Sequence, residues 1–519
     1  MRARPVEGNT MRNVLKLTAL AAIFAVAAHA QPPQAPAQPP APPPPLSGAV
    51  RTLKAGQVQG FVKDGVAVFR GLPYAAPPVG ELRWKEPQPV KAWAGVRAAN
   101  AAGASCADAE DCLFLNVFTP ANATAASKLP VFVWIHGGGF AGGSGAGTDG
   151  SKFARAGVIV VSINYRLARA GWFAHPALTA EAKGELLANY GNMDQIAALK
   201  WVRDNIGAFG GDATKVTLGG SSAGAISTAY LMMAPQAKGL FAKAISESSF
   251  NRLEVAPIRS DSGASAEKAG VAFAEAHGIK GTGADAAKAL RALTLEQLRA
   301  PAATQGAADR PRPIADGAMI TGTIEAGFRA GRQAAVPYLF GDTDDDSSLF
   351  RRGIDAKARV EALSASPGFL AAYDPDGTKD ADRILAKIMT DESNREPNRA
   401  VARLHAAKAP TFTYYFTYVP KATRETAFGA GHSAETRYVF GGDVQRPMDA
   451  EDLAVSDTVN AYWAAFIKTG DPGSASEKAW PKFDAKDEQR LLVTKTGVVE
   501  ISKKIDPARL DWVEANVGK

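Results

Sequence analysis

The sequence predicts an α/β protein with a doubly wound, mostly parallel central sheet and helices on both faces. Apolar, strand-like runs at 158–162, 242–246 and Thr411–Phe416 are separated by helical patterns such as the one at 193–206. Strands that alternate with helices in this way are typical of parallel sheets whose binding loops lie at the carboxyl ends of the strands. A strand, a sharp turn and a small-residue helix around position 222 indicate the same architecture.

The N-terminal segment is predicted to precede the folded domain. Basic residues, an apolar run at 17–28 and the small-x-small end Ala28-His29-Ala30 indicate a secretory signal peptide at 1–30, with Met11 as an alternative start. The apolar run is too short to span a membrane, so we expect no stable membrane insertion. Residues 31–47 are mainly Pro, Ala and Gln and are typical of a linker. We therefore expect an exported protein, periplasmic or secreted.

Charge and cysteine content narrow the expected partners. Removal of residues 1–30 would lower the formal net charge from +7 to +4, and no basic stripe interleaved with aromatic residues is present. Nucleic acid is therefore not an expected partner. The two cysteines, Cys106 and Cys112, are expected to form a disulfide in an exported protein. A zinc site is not expected, because no paired histidine or further cysteine accompanies them.

The segment 216–226 contains the most informative motif of the chain. It reads Val-Thr-Leu-Gly-Gly-Ser-Ser-Ala-Gly-Ala-Ile and places Ser222 in a Gly-x-Ser-x-Gly frame, between a β-prone run and the small-residue helix Ala223–Met233. This order of strand, serine and helix predicts a nucleophile elbow, with the serine hydroxyl exposed at the head of the helix. Gly220 and Gly224 give the backbone the clearance that such a sharp turn requires.

A glycine-rich loop lies upstream of this motif. The buried-strand pattern Leu129–Ile135 leads into His-Gly-Gly-Gly-Phe at 136–140. Glycines let backbone N–H groups approach a ligand without interference from a Cβ atom. We therefore predict an oxyanion hole from the N–H groups of Gly138, Gly139 and Ala223. The alternative interpretation is a flexible glycine-rich turn, because further glycines follow.

Five further stretches, in order along the chain, resemble the signature motifs of one known family. They are Phe-Arg-Gly-Leu-Pro-Tyr-Ala-Ala-Pro-Pro-Val-Gly-Glu-Leu-Arg at 69–83, Glu-Asp-Cys-Leu-Phe-Leu-Asn at 110–116, Ser-Ile-Asn-Tyr-Arg-Leu at 162–167, Asn-Tyr-Gly-Asn-Met-Asp-Gln at 189–195 and Phe-Gly-Gly-Asp at 209–212. With the serine frame, they make the chain resemble the type-B carboxylesterases, which share the α/β-hydrolase fold with the cholinesterases. The export signal and composition indicate a bacterial member.

This resemblance runs from about Val50 to the C-terminus and carries several expectations. It implies one α/β-hydrolase catalytic domain over 48–519. The Ala-, Gly- and Arg-rich composition of 251–330 separately predicts helices over the active site. The resemblance implies no metal and no organic cofactor. It also implies two buried structural ion pairs, Arg83 with Glu110 and Arg166 with Asp194.

The family's chain order is nucleophile, acid, histidine, so the partners of Ser222 are expected downstream. His432, in Gly-Ala-Gly-His-Ser-Ala-Glu, resembles the family's histidine loop and is predicted to be the general base. The remaining histidines lie in the targeting segment, upstream of Ser222 or in helical segments without the motif; they are His29, His136, His175, His277 and His405.

The acid comes from a cluster at 342–346 that follows another buried-strand pattern. By register with the family pattern, Asp346 is the triad member, although most relatives carry Glu at that position. Asp344 and Asp345 remain competitors, and the cluster could alternatively be a solvated turn or a cation site. The acid's predicted role is to hold the imidazole tautomer and to stabilise its charged form.

Two serines mark further comparisons with the family. Ser221 replaces the Glu that relatives usually carry before the nucleophile, which predicts a more neutral site and altered selectivity between neutral and anionic esters. Ser248 matches the serine that supports the acid in relatives, and Ser249 replaces a neighbouring glycine.

Together these features predict hydrolysis of small carboxylic esters through an acyl-enzyme on a Ser-His-Asp triad. One alternative is the hydrolysis of amides, carbamates or a specialised bulky ester, because the fold serves many acyl substrates. A second is a non-catalytic adhesion protein of the same family. Such a protein should lack the nucleophile, the histidine or the glycine loop, whereas this chain has all three.

Overall fold

The computed structural model describes residues 42–182, 184–300, 311–442, 446–474 and 478–516. The predicted signal peptide and most of the predicted linker lie outside the described residues. Among the described residues, no helix combines the length and the apolar composition that crossing a membrane requires.

The described strands form one sheet of eleven strands and one of three. They are β1 (Arg51–Leu53), β2 (Gly56–Gln59), β3 (Phe61–Lys63), β4 (Val66–Pro73), β5 (Val96–Ala98), β6 (Phe114–Pro120), β7 (Leu129–Ile135), β8 (Ile159–Ile163), β9 (Gly211–Ser221), β10 (Lys243–Glu247), β11 (Tyr338–Thr343), β12 (Thr411–Phe416), β13 (Arg490–Val493) and β14 (Val499–Ser502). The large sheet has the order β14-β13-β12-β11-β10-β9-β7-β8-β6-β4-β3, and the small sheet has the order β1-β2-β5.

The large sheet is parallel at its centre and antiparallel at both edges. The run from β13 to β8 is parallel throughout, whereas β14 on one side and β6, β4 and β3 on the other pair antiparallel. From β7 the chain crosses to β8 on one side and then returns to β9 on the other. The winding therefore reverses at β7, and the crevice at the carboxyl ends of β7 and β9 is where ligands bind in such sheets. The predicted doubly wound, mostly parallel sheet is confirmed.

Helices cover both faces of this sheet. The α-helices are Ser151–Arg155, Ala168–Gly171, Pro176–Glu181, Tyr190–Asn205, Ala223–Met233, Ala266–Ala276, Ala284–Arg291, Leu295–Arg299, Ile324–Arg329, Ala356–Ser364, Phe369–Tyr373, Ala381–Thr390, Glu396–Ala406, Ala434–Phe440, Ala450–Thr469 and Pro507–Asn516. Short 3₁₀ turns lie at Gly80–Leu82, Gly145–Gly147, Ile206–Phe209, Pro235–Ala237 and Pro472–Ser474, and one π-helical turn lies at Asp391–Arg395.

Strand β7 shows why its sequence is apolar without alternation. Val131 and Val133 point into the hydrophobic core on one face, whereas Phe132 and Trp134 point into the core on the other. All four side chains are at most 2% exposed. A strand that is covered by helices on both faces has no solvent side, so each position buries apolar surface.

The region 251–330, which was predicted to be helical, contains four helices within its described part. The helix Ala284–Arg291 packs on Pro176–Glu181, and Leu295–Arg299 packs on Ala168–Gly171. Both therefore attach to the segment that follows the Arg166 motif. That these helices cover the active site remains a prediction.

The predicted covalent and ionic links near this region are present. Cys106 and Cys112 form a disulfide. The Arg83 guanidinium lies 2.6 Å from the Glu110 carboxylate. The Arg166 and Asp194 side chains lie 2.8 Å apart and are almost completely buried. Removing one partner of such a buried pair would leave an uncompensated buried charge and would destabilise the folded protein.

Candidate active site

Ser222 forms the turn between β9 and the helix Ala223–Met233. Its φ is 56° and its ψ is −119°, a region that non-glycine residues rarely occupy. The Ser222 N–H donates to the carbonyl oxygen of Glu247 at 2.8 Å, so β10 holds the strained residue in place. The predicted elbow geometry is therefore present.

Two glycines make this turn sterically allowed. A Cβ atom at Gly224 would lie 2.0 Å from the carbonyl oxygen of Ile135, at the end of β7. A Cβ atom at Gly220 would lie 2.5 Å from the carbonyl carbon of Gly224. The end of β7, the end of β9 and the start of the helix consequently pack backbone against backbone, which only glycine permits.

The glycine loop at 136–140 lies directly against Ser222. A Cβ atom at Gly137 would be 3.1 Å from the Cβ of Ser222. Gly138 and Gly139 have φ values of 114° and 61° and are solvent-exposed. Their N–H groups donate to no other group in the part of the chain that the structure describes. Ala223 opens the helix, where N–H groups lack intrahelical acceptors.

His432 lies between Ser222 and Asp346. Its Nε2 atom is 2.8 Å from Ser222 Oγ, and its Nδ1 atom is in hydrogen-bond contact with Asp346 Oδ1. The Asp346 side chain is completely buried and that of His432 is 4% exposed, whereas Ser222 is half-buried. The three residues come from the ends of β9 and β11 and from the loop after β12, all at one edge of the sheet.

The structure distinguishes Asp346 from its two competitors. Asp344 Oδ1 accepts from the Ala430 N–H at 2.6 Å, and Asp345 forms an ion pair with Arg351. Burial raises the pKa of Asp344 to about 7. Both residues therefore hold the loop together, and neither contacts the imidazole of His432.

Backbone contacts fix the acid and the histidine. The Thr343 N–H donates to Asp346 Oδ2 at 3.2 Å, and the His432 N–H donates to Ser348 Oγ at 2.9 Å. Phe250 and Phe350 pack against the His432 ring, with ring centroids 5.5 and 5.7 Å away. These contacts limit the rotation of the imidazole, which a positioned base requires.

The other described histidines serve the fold. His136 stacks on Tyr165, and burial lowers its pKa to about 4. His405 contacts the Val336 carbonyl oxygen at 2.9 Å and has its pKa lowered to about 4, again by burial. His175 caps the helix Pro176–Glu181, and His277 packs on Phe273. His29 lies outside the described residues.

Two buried carboxyl groups behind the site were not predicted from the sequence. Glu247, at the end of β10, accepts from Thr436 Oγ1 at 2.7 Å and Trp463 Nε1 at 2.9 Å. Burial raises its pKa to about 7. Glu435 accepts from Tyr414 at 2.6 Å. Burial, followed by the charges of Glu247 and Asp346, raises the pKa of Glu435 well above the usual range.

The hydroxyl of Ser248 departs from the role that the resemblance implied. It donates to Glu435 Oε1 at 3.2 Å rather than to Asp346. The neighbouring Ser249 donates to Asn251 at 3.1 Å. Ser248 therefore contacts the buried Glu435 and not Asp346. The nearest sequence signal was the acidic residue three positions after His432, which the histidine motif contains.

Ser221 contacts the histidine loop directly. Its hydroxyl lies 2.7 Å from the hydroxyl of Ser433, the residue after His432. Ser433 has a φ of 58°, in the left-handed region.

Within the described residues, no group of three or more His, Cys, Asp or Glu side chains is arranged to hold a metal ion.

Comparison with known proteins agrees with this geometry. A model of the carboxylesterase family matches residues 47–512. Para-nitrobenzyl esterase of Bacillus subtilis is 35% identical over 86% of this chain and 95% of its own length. Fumonisin B1 esterase of Sphingopyxis macrogoltabida is 33% identical over 86% of this chain and 87% of its own length.

Solved structures give the same result. A structure of PNB esterase superposes with a TM-score of 0.74 and 31% identity, covering 89% of this chain and all of that one. A carboxylesterase of Geobacillus stearothermophilus superposes with a TM-score of 0.76 and 29% identity, covering 90% of this chain and all of its own. The fold and site thus define an α/β-hydrolase. The chain belongs to the carboxylesterase family and is a carboxylic-ester hydrolase.

Proposed function

We propose that this enzyme hydrolyses small carboxylic esters through an acyl-enzyme on Ser222, with His432 as general base and Asp346 as the orienting acid. The observation that carries the proposal is the continuous contact from Ser222 Oγ through the His432 ring to Asp346. The open amides of Gly138 and Gly139 beside the nucleophile support it.

In the first half of the reaction, Ser222 Oγ attacks the ester carbonyl carbon while His432 Nε2 takes its proton. The N–H groups of Gly138, Gly139 and Ala223 donate to the oxyanion, and their fixed backbone geometry requires little reorganisation. His432 then gives the proton to the departing alcohol oxygen. Asp346 stabilises the charged imidazole between these transfers.

In the second half, a water molecule replaces the alcohol. His432 takes a proton from this water, and the resulting hydroxide attacks the acyl carbon of the ester on Ser222. The proton then returns to Ser222 Oγ and the carboxylic acid leaves. Each proton is conserved across the cycle, so no further reactant is required.

The test is to measure initial rates on p-nitrophenyl esters of increasing acyl length for the mature enzyme and for Ser222→Ala. We expect turnover of short esters by the parent and a loss of about 10⁶-fold in kcat in Ser222→Ala, as for removal of a triad nucleophile. The length profile would also measure the acyl pocket. Turnover of Ser222→Ala at the parent rate would overturn the assignment of the nucleophile.

We further propose that the enzyme is exported, to the periplasm or the medium. The signal-peptide pattern at 1–30 and the disulfide between Cys106 and Cys112 support this, because disulfides persist in oxidising compartments. N-terminal sequencing of the protein from cell fractions would test it. A mature chain that begins after Ala30 outside the cytoplasm is expected, and an intact N-terminus in the cytoplasmic fraction would contradict the proposal.

A further inference from the structure

Two hydroxyl groups meet at the residues next to Ser222 and His432 in the chain, and neither belongs to the triad. Ser221 precedes the nucleophile and Ser433 follows the base, and their Oγ atoms lie 2.7 Å apart across 212 residues of chain. Ser221 is 5% exposed, whereas Ser433 is half-buried. We call these two side chains the hydroxyl pair.

One O–H group of the hydroxyl pair is left without an acceptor among the described residues. Two hydroxyls can share only one hydrogen bond as donor and acceptor, which leaves the hydrogen of the second free. Neither side chain makes another hydrogen bond within the described residues. Because Ser221 is buried and Ser433 is the more accessible, the free O–H belongs at Ser433, where a substrate can reach it.

The position of His432 indicates which part of an ester this O–H would meet. The leaving alcohol oxygen must come within hydrogen-bond reach of His432 Nε2, because it takes its proton there. The oxyanion lies instead against the glycine loop. We therefore expect the residues that flank the imidazole to lie on the leaving-group side, and Ser433 directly follows His432 in the chain.

We propose that the hydroxyl pair is a specificity determinant that donates a hydrogen bond to an oxygen atom in the alcohol part of the ester. This inference rests on the proposed function. The pair offers one O–H donor and no charge of its own, which matches a neutral hydroxyl or ether oxygen as the acceptor. The substrate class is then esters of oxygen-bearing alcohols, in preference to esters of purely aliphatic alcohols of the same size.

The test compares two matched esters, 2-methoxyethyl butanoate and n-butyl butanoate, which differ by an ether oxygen in place of one methylene. The measured quantity is the ratio of their kcat/KM values in each variant divided by the ratio in the wild type, which cancels their different leaving-group reactivities. Ser433→Gly removes the hydroxyl without strain, because glycine accepts the left-handed backbone at this position. Ser221→Ala removes the other hydroxyl.

We expect the preference for 2-methoxyethyl butanoate over n-butyl butanoate, measured as this ratio of kcat/KM values, to fall about threefold to tenfold in Ser433→Gly. A change of this size is the usual effect of one neutral hydrogen bond. Ser221→Ala should lower it in the same direction, because the orienting partner is lost. The double variant should fall no further than Ser433→Gly, since the pair acts as one unit. Ser221→Thr, which keeps the hydroxyl, should restore the wild-type ratio.

The control is Ser364→Ala, whose hydroxyl donates to the Val360 carbonyl oxygen within the helix Ala356–Ser364 and to no other group among the described residues. It should leave the ratio unchanged. Equal losses on both esters in Ser433→Gly would reduce the pair to a structural contact and overturn the inference while leaving ester hydrolysis intact. A wild type that turns over neither these esters nor the p-nitrophenyl series would overturn the proposed function, and the inference with it.

Discussion

The Ser222 side and the Asp346–His432 side of the site are held in place by different physical means. Around Ser222, the backbones of β7, β9 and the following helix touch, and glycines supply the clearance. Around His432 and Asp346, side chains from distant segments meet in a buried polar cluster, with Glu247 and Glu435 behind it. One side is built by steric fit, and the other by hydrogen bonds and protonation.

This difference determines how each side fails. Close contacts between backbones are disrupted when atoms are added, and their contribution to stability changes little with pH. A buried polar cluster is disrupted when a charge or a hydrogen-bond donor is changed, because a buried polar group without a partner raises the free energy of the folded state more than an exposed one does. Mutations that keep shape but change charge should therefore affect the second side, and mutations that add one methyl group should affect the first.

Among the variants that test this contrast between the two sides, the largest effect is expected from Asp346→Asn, which keeps the shape of the side chain and removes its charge. We expect kcat to fall about 10³–10⁴-fold, because the imidazole loses the group that holds its tautomer and stabilises its charged form. Steady-state kinetics on a p-nitrophenyl ester measures this. Asp344→Asn, on the same loop but without contact to His432, is the matched control and should stay within tenfold of the parent.

A smaller effect, on stability, is expected from Gly224→Ala. The added methyl group would sit 2.0 Å from the Ile135 carbonyl oxygen, so the helix must move away from β7. Overpacking of this kind should cost about 3 kcal/mol in the free energy of unfolding. Urea unfolding at two pH values should give the same loss at both.

The control for this variant is Gly207→Ala. Its added Cβ atom would meet no atom within 4 Å, and its φ is not positive. A loss of stability in Gly207→Ala equal to that in Gly224→Ala would show that the close approach to β7 is not the cause.

The steric side could be predicted from the sequence because its determinants are local. The frame around Ser222, the glycine loop and the strand patterns each occupy a few consecutive residues. The predicted strand at 158–162 is Ile159–Ile163 in the structure, and that at Thr411–Phe416 has the same bounds. The His432 loop was found from its motif and by elimination among six histidines.

The polar side could be predicted only in part, because its contacts join residues far apart in the chain. The sequence left three aspartates as candidates for contact with His432, and only the fold separates them. The meeting of Glu247 with Thr436, across 189 residues, has no signal in either segment. The contact between Ser221 and Ser433 likewise has no signal in the sequence. The sequence shows that Ser221 is unusual for the family, but it does not indicate which residue Ser221 contacts.

The smallest effect is expected from Glu435→Gln, and it should depend on pH. The folded protein raises the pKa of Glu435 by burial and by the nearby charges of Glu247 and Asp346, so the carboxyl stays protonated at pH values where the unfolded chain releases its proton. The contribution of Glu435 to the free energy of unfolding is therefore complete below the pKa of this carboxyl in the unfolded chain, about 4.3. It is lost as the pH rises towards the pKa of Glu435 in the folded protein. Glutamine resembles the protonated carboxyl and has no proton to release.

Between pH 5 and 7, the wild type should consequently lose about 1 kcal/mol per pH unit more than Glu435→Gln does. Urea unfolding at pH 5, 6 and 7 measures the difference, with Glu500→Gln on the exposed side of β14 as the control that should follow the wild type. Parallel stability curves for wild type and Glu435→Gln would mean that Glu435 is ionised in the folded protein. The cluster behind Asp346 would then hold an ionised carboxylate by hydrogen bonds from Ser248 and Tyr414, and the contrast between the two sides of the site would no longer rest on protonation.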